Sequence, residues 1–188
     1  MKRRQFMRAG AKGLVAISIA AMVAGSIAPA MAHGPERKKV TETIEISVPP
    51  EKAWERVKNF ADMSWHPAVE KTEGEGGNAV DATRTITLKG GGEIHEMLTR
   101  YDDEKMTYSY RISDVDVAVL PVTNYASHLT VKPGTDGGSL VEWRGAFYRG
   151  YPNNDPPEHL NNEAAIAAVT GVYKAGLANL KATLEGSQ

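Results

Sequence analysis

The sequence predicts an α+β domain in which a curved antiparallel sheet of six to seven strands surrounds one long C-terminal helix, with short helices after the first strand. Three observations predict it. An early segment alternates apolar and polar residues, a middle section holds short β-rich runs separated by Gly and Asp turns, and a final section repeats apolar residues every three or four positions.

Val40, Ile44, Ile46 and Val48 alternate with Thr41, Thr43, Glu45 and Ser47, the period of a half-buried strand, and Pro49-Pro50 ends the run. Ala53, Trp54, Val57, Phe60 and Ala61 then fall at helical spacing behind a proline suited to a first helical turn. After the irregular segment Met63-Ser64-Trp65-His66-Pro67, strands are expected near 69–75, 81–88, 93–101, 105–112, 122–132 and 139–148. Gly76-Gly77-Asn78, Gly90-Gly91-Gly92, Asp102-Asp103-Glu104 and Gly134 to Gly138 separate them, which makes a meander of hairpins. From about Pro157, the recurrence of Ile166, Val169, Tyr173, Gly176, Leu177, Leu180 and Leu184 predicts one helix ending near Leu184. It would span about 35 Å at the usual rise. Its small residues, Ala164, Ala165, Ala167, Ala168, Gly171, Ala175 and Gly176, would let it approach another surface closely.

Ahead of this domain stands an export signal. All five charges before position 33 are basic (Lys2, Arg3, Arg4, Arg8, Lys12), an uncharged small and apolar run extends from Leu14 to about Ala28, and Ala30-Met31-Ala32 offers a cleavage site before His33. Arg3-Arg4 followed by Gln5, Phe6 and Met7 resembles a twin-arginine signal. The apolar run is short for the ~30 Å core of a bilayer and Pro29 interrupts it, so no stable membrane insertion is expected after processing. The expected organisation is a cleaved signal over 1–32, a flexible N-terminus over 33–38 and one domain over 39–188, working in the periplasm.

Cleavage leaves 17 basic against 23 acidic residues, a net charge of about −6. That excess argues against nucleic acid, which needs clustered Lys and Arg, and is compatible with a basic protein partner. The absence of cysteine means that no disulfide supports the fold in an oxidising compartment, so its stability rests on the core.

Several local patterns resemble the START-like helix-grip superfamily, which includes polyketide cyclase/dehydrase-like and lipid-transfer proteins. They are Ile44-Glu45-Ile46 leading to Pro49-Pro50-Glu51-Lys52-Ala53-Trp54, Trp65-His66-Pro67-Ala68-Val69, Gly92-Glu93-Ile94 to Glu96-Met97-Leu98, Tyr101-Asp102-Asp103, Tyr108-Ser109-Tyr110, Val141-Glu142-Trp143 and Gly171-Val172-Tyr173-Lys174-Ala175-Gly176-Leu177. Within the superfamily, an exported chain of this length whose mature start is His33-Gly34-Pro35 is similar to the periplasmic methanol-oxidation accessory proteins of methylotrophic bacteria. That resemblance implies two partners, a quinone-dependent alcohol dehydrogenase and a c-type cytochrome. The wider resemblance implies a cavity between sheet and helix, a possible site for a small apolar ligand, with Trp65 and His66 at its mouth.

Strand alternation says which residues face that cavity. Ile86 and Leu88 put Arg84 inside, Ile94 and Leu98 put Glu96 there, and Met106 and Ile112 do the same for Tyr108 and Tyr110. On the last two strands Tyr125, Leu129, Val141, Trp143 and Phe147 point inward, and Tyr173 meets them from the helix. Glu96 is the one carboxylate on the inner face, and a turn at Gly90 to Gly92 puts Arg84 directly across from it or on the adjacent diagonal. Two readings follow: a structural ion pair, or a polar floor on which Glu96 and the tyrosines meet a ligand.

His95 and His128 fall on the outer face, and His159 precedes the long helix. No histidine pair has zinc spacing. His33 could bind copper through its imidazole and the new amino terminus, but a plain terminal histidine is the simpler reading. A strand rather than a helix follows Gly90-Gly91-Gly92, so the glycines form a turn and not a phosphate loop, and no nucleophile elbow is present. No metal or cofactor is expected. The loop from Tyr148 to Pro157 is either a contact surface at the cavity mouth or a rigid connector.

Three functions fit these residues: a periplasmic accessory protein, a small cyclase- or dehydratase-like acid–base enzyme using Glu96, and a carrier of an apolar ligand. An open pocket with Glu96 unpaired favours enzyme or carrier, and a filled one with Glu96 held by Arg84 favours the accessory role.

Overall fold

Strand β1 (Lys38–Ile46) buries Val40 and Ile46 on one face and exposes Lys39, Thr41, Thr43 and Glu45 on the other, as its alternating sequence requires. The computed structural model containing it describes residues 34–186, so the export signal and its cleavage site lie outside the described residues. Pro50 opens α1 (Pro50–Val57), where its fixed φ suits the first turn and its missing N–H is not needed. The helix ends short of Ala61. Asn59 accepts from the Ala61 N–H at 3.1 Å and Asn78 from the Phe60 N–H at 2.9 Å, so side chains satisfy the donors that another helical turn would have used.

Six more strands follow: β2 (Val69–Glu75), β3 (Thr83–Leu88), β4 (Glu93–Asp102), β5 (Thr107–Val115), β6 (Val122–Pro133) and β7 (Ser139–Arg149). They form one antiparallel sheet in the order β1-β7-β6-β5-β4-β3-β2, so the meander is as expected and β1 closes onto β7. Two strands start later than the sequence reading has them, and β5 runs on to Val115, past the expected end at 112. Asp81 has φ +70°, so β3 starts at Thr83, and Met106, at φ +48°, belongs to the turn before β5. Strand β6 breaks strict alternation, because Val122 and Tyr125 are both buried although three positions apart. A bulge between Thr123 and Ala126, with Asn124 at φ +48°, resets the phase and turns Tyr125, Ser127 and Leu129 inward.

The long helix, α2 (Asn162–Glu185), begins later than Pro157. Residues Glu158–Leu160 make one tight turn, and the Asn161 side chain accepts from the Ala164 N–H at 2.8 Å, a helix N-cap. Tyr173, Leu177 and Leu180 are fully buried against the sheet, and the helix lies chiefly on β1 and β7. The inner face of β3, β4 and β5 is therefore roofed largely by the loops around Met63–Ala68 and Val119–Leu120, and a cavity remains beneath them. No helix among the described residues is long and apolar enough to cross a membrane.

Candidate functional site

The cavity encloses about 100 Å³, with Ile86, Leu88, Ile94 and Ile112 from the sheet, Met63 and Leu120 from the loops and Val172 from α2. Its lining is mostly apolar. An apolar protein cavity of ~150 Å³ holds a benzene-sized molecule, so this space suits a compact ligand of that order or smaller.

Five of the nine candidate residues border it: His66, Glu96, Tyr110, Tyr125 and Trp143. Trp65, Arg84, Tyr108 and Tyr173 do not line it; they pack against those that do.

Register places Arg84 directly opposite Glu96, the closer of the two expected arrangements. Arg84 Nε donates to Glu96 Oε2 at 2.6 Å and Nη2 stands 2.5 Å from the same oxygen. Nη1 donates to the Phe60 carbonyl at 2.7 Å, and the guanidinium lies between the Phe60 and Tyr110 rings at 4.2 and 4.9 Å. Arg84 thus ties β3, β4 and the loop after α1 together. Burial pushes the Glu96 carboxyl above the usual carboxylate range, while Arg84 pulls it down. Burial also opposes the Arg84 charge, but Glu96 and the two tyrosines hold the guanidinium above its ordinary pKa. Two guanidinium nitrogens converging on one oxygen is the geometry of an ionised pair. No hydrogen bond from a described residue reaches Glu96 Oε1, the acceptor left over for a ligand.

Beside the cavity, neutral groups satisfy one another. Trp143 Nε1–H lies 3.0 Å from both Tyr110 Oη and Ser127 Oγ. Ser127 Oγ is 2.9 Å from Tyr173 Oη, which is 2.5 Å from Tyr125 Oη. The Trp143 and Tyr173 rings stack at 4.4 Å. Burial raises the pKa of Tyr110, Tyr125 and Tyr173, so their hydroxyls stay protonated and act as hydrogen-bonding groups, not as bases.

Sequence reasoning missed two residues here. Ser127 and Gly145 are cross-strand partners on the inner face, and a Cβ at Gly145 would collide with the Tyr173 hydroxyl. Their trace in the sequence is two small residues at inward positions whose neighbours are Tyr125, Leu129, Trp143 and Phe147.

His66 has both ring nitrogens engaged. Nε2–H donates to the Val172 carbonyl at 2.9 Å and Nδ1 accepts from the Ala68 N–H at 3.2 Å, which defines a neutral ring, and burial depresses its pKa. Gly176 makes this possible, since a Cβ there would stand 2.5 Å from His66 Cδ2 and 2.9 Å from Trp143 Cζ3.

The remaining candidates lie elsewhere. His95 and His128 are on the outer face beside Thr85 and Ser109. Arg149 donates to the carbonyls of Tyr151 and Asn153, so the 148–157 segment is folded as a connector and does not line the cavity. Among the described residues, no group of three or more His, Cys, Asp or Glu side chains could hold a metal ion.

Residues 37–185 match the family described as polyketide cyclase / dehydrase and lipid transport. The major allergen Dau c 1 of Daucus carota is 30% identical over 111 residues, 57% of this chain and 71% of the allergen. Among solved structures, the protein XoxI of Bacillus cereus superposes with a TM-score of 0.66 at 31% identity, over 78% of this chain and 95% of that one. Norcoclaurine synthase of Thalictrum flavum shares the fold with a TM-score of 0.61 at 17% identity, over 81% of this chain and 88% of the synthase.

Proposed function

This chain belongs to the polyketide cyclase / dehydrase and lipid transport family, and from that premise we propose that it is a non-catalytic binding protein for a compact apolar molecule carrying one hydrogen-bond donor. The observation that carries this reading is Glu96 at the wall of an apolar cavity, with Oε2 taken by Arg84 and Oε1 open. A general acid or base must exchange a proton during reaction, and an ion-paired carboxylate at 2.6 Å from a guanidinium is poorly placed to do so. It is well placed to accept a hydrogen bond from a bound hydroxyl or amine. Titration with phenol, followed by calorimetry, is expected to saturate at one site and to be about tenfold tighter than toluene, which has the size but not the donor. Filling the cavity by Ile86→Trp should abolish both. Equal affinity for phenol and toluene would remove Glu96 from the reading.

At the cellular level, we place this binding protein in the periplasm as an exported accessory of a quinone-dependent alcohol dehydrogenase and its c-type cytochrome. The held carboxylate supports this over a cyclase-like enzyme, and the net charge of about −6 supports attraction to a basic partner. The protein should change the rate of electron transfer between those two partners, less so as salt shortens the Debye length from ~10 Å at 0.1 M to ~3 Å at 1 M. Glu96→Gln should leave that effect intact. If Glu96→Gln abolishes it while surface charge changes do nothing, the acid–base enzyme takes its place.

A further inference from the structure

On the face of the sheet turned away from α2, register aligns two rows of side chains across the strands. Thr41, Arg144, His128, Ser109 and Arg100 make one row from β1 to β4, and Lys39, Ala146, Ala126 and Arg111 make the next. Side chains at directly opposed positions on one face stand next to each other. The two alanines end at Cβ while their neighbours are long, so a hollow of about 290 Å³ opens between them, bordered by Arg37, Lys39, Thr41, His128 and Arg144.

The chemistry of this hollow is one-sided. Two guanidinium groups, an ammonium, a hydroxyl and an imidazole border it, and no carboxylate does. Arg37, Lys39, Arg111 and Arg144 form no ion pair with a carboxylate among the described residues, whereas Arg56, Lys71, Lys105 and Lys132 elsewhere are paired. Arg100, at the end of the first row, has only a long contact of 3.8 Å to Asp102. The concentrated charge acts locally: after burial, Arg144 and Arg100 further depress the pKa of His128. In a chain whose mature form has 23 acidic against 17 basic residues, such a group of unneutralised cations is the opposite of what composition alone would place on one face. Their mutual repulsion opposes folding, and a bound anion relieves it.

We propose that this hollow binds a multiply charged oxyanion of the phosphate class. The forks of Arg37 and Arg144 match the spacing of phosphate oxygens, Lys39 adds a compact point charge, and Thr41 and His128 supply further donors. The volume exceeds that of a single phosphate, which favours a diphosphate or a phosphate ester. The site lies across the sheet from the apolar cavity and is independent of its ligand.

Calorimetric titration with inorganic pyrophosphate at low ionic strength tests this. The expected result is saturable one-site binding that weakens by about tenfold in Arg144→Gln and in Lys39→Gln and becomes shallower in its salt dependence as charges are neutralised. Lys52→Gln, at an exposed lysine on α1, should bind as the parent does. A parallel arm uses sedimentation with vesicles containing phosphatidic acid, whose phosphomonoester headgroup can carry two charges. Vesicle binding that needs Arg144 and Lys39, without binding of free pyrophosphate, assigns the phosphate to a lipid headgroup at the same site. Absence of binding in both arms, or equal weakening in all three variants, overturns the proposal.

Discussion

Under β6 and β7, Tyr125, Ser127, Trp143 and Tyr173 bury neutral polar atoms that satisfy one another, and α2 packs directly on them. Under β3 to β5, Arg84 and Glu96 bury a charged pair beside a cavity of about 100 Å³, and loops do the covering. The two regions share a sheet and differ in their roof. Where the helix lies on the sheet, Gly145 and Gly176 let aromatic groups reach across and pack closely, and only the rims of Tyr125 and Trp143 meet the cavity. Where loops cover it, the charged pair is held by backbone and ring contacts, and one carboxylate oxygen stays unused. The comparison teaches that the cavity opens where loops cover the sheet and the long helix contributes only Val172 to the lining.

The largest expected effect tests the charged side. Arg84→Met leaves Glu96 buried without its counter-charge and should lower unfolding stability by about 3–5 kcal/mol in a denaturant titration. The double variant Arg84→Met with Glu96→Leu should recover most of that loss. A double variant as unstable as the single one would mean that Arg84 acts through its contacts with Phe60 and Tyr110, not through the charge.

A smaller effect tests the closed side. Gly145→Ala places a methyl where the Tyr173 hydroxyl lies, and the displacement should lower stability by about 1–3 kcal/mol. Adding Tyr173→Phe to it should return part of the loss, which a thermal melt of both variants would reveal. If the alanine variant melts with the parent, the helix is not held as close to β7 as the geometry requires.

The smallest effect concerns the seam between the two regions. His66 is buried neutral with its pKa depressed, while in the unfolded chain it titrates near its ordinary value of about 6.5. Its contribution is therefore complete above about pH 6.5 and is lost as pH falls from there through the folded value. Between about pH 7.5 and pH 5, the parent should lose more stability than His66→Gln does. His128 shifts in the same direction in both proteins and so cancels in the difference. Parallel pH profiles would show that His66 does not carry the dependence.

Much of this arrangement was legible in the order of residues. The two-residue period is a local property, so alternation alone put Arg84, Glu96, Tyr108, Tyr110 and Trp143 on the inner face, and the helical period did the same for Tyr173, Leu177 and Leu180. Glycines at 91 and 92 adopt φ of 87° and 90°, a backbone shape that turns the chain where the sequence says it turns. What alternation could not say was which inward residues would meet a cavity and which would pack shut. The bulge at Asn124 belongs to the pairing of β6 with β7, and the Ser127 and Gly145 pair beneath Tyr173 and the bond from His66 to Val172 across 106 positions depend on how α2 is seated.

The sequence by itself therefore determined the kind and order of the elements and the inward placing of Arg84, Glu96, Tyr108, Tyr110 and Trp143, because these follow from periods of two and 3.6 within single elements. Only the tertiary structure decided that Glu96 meets Arg84 directly, that the space beside them stays open, and that the cations of β1, β5 and β7 gather on the outer face. Those outcomes rest on strand register and on the placement of α2 over β1 and β7, which are set by contacts between residues far apart in the chain.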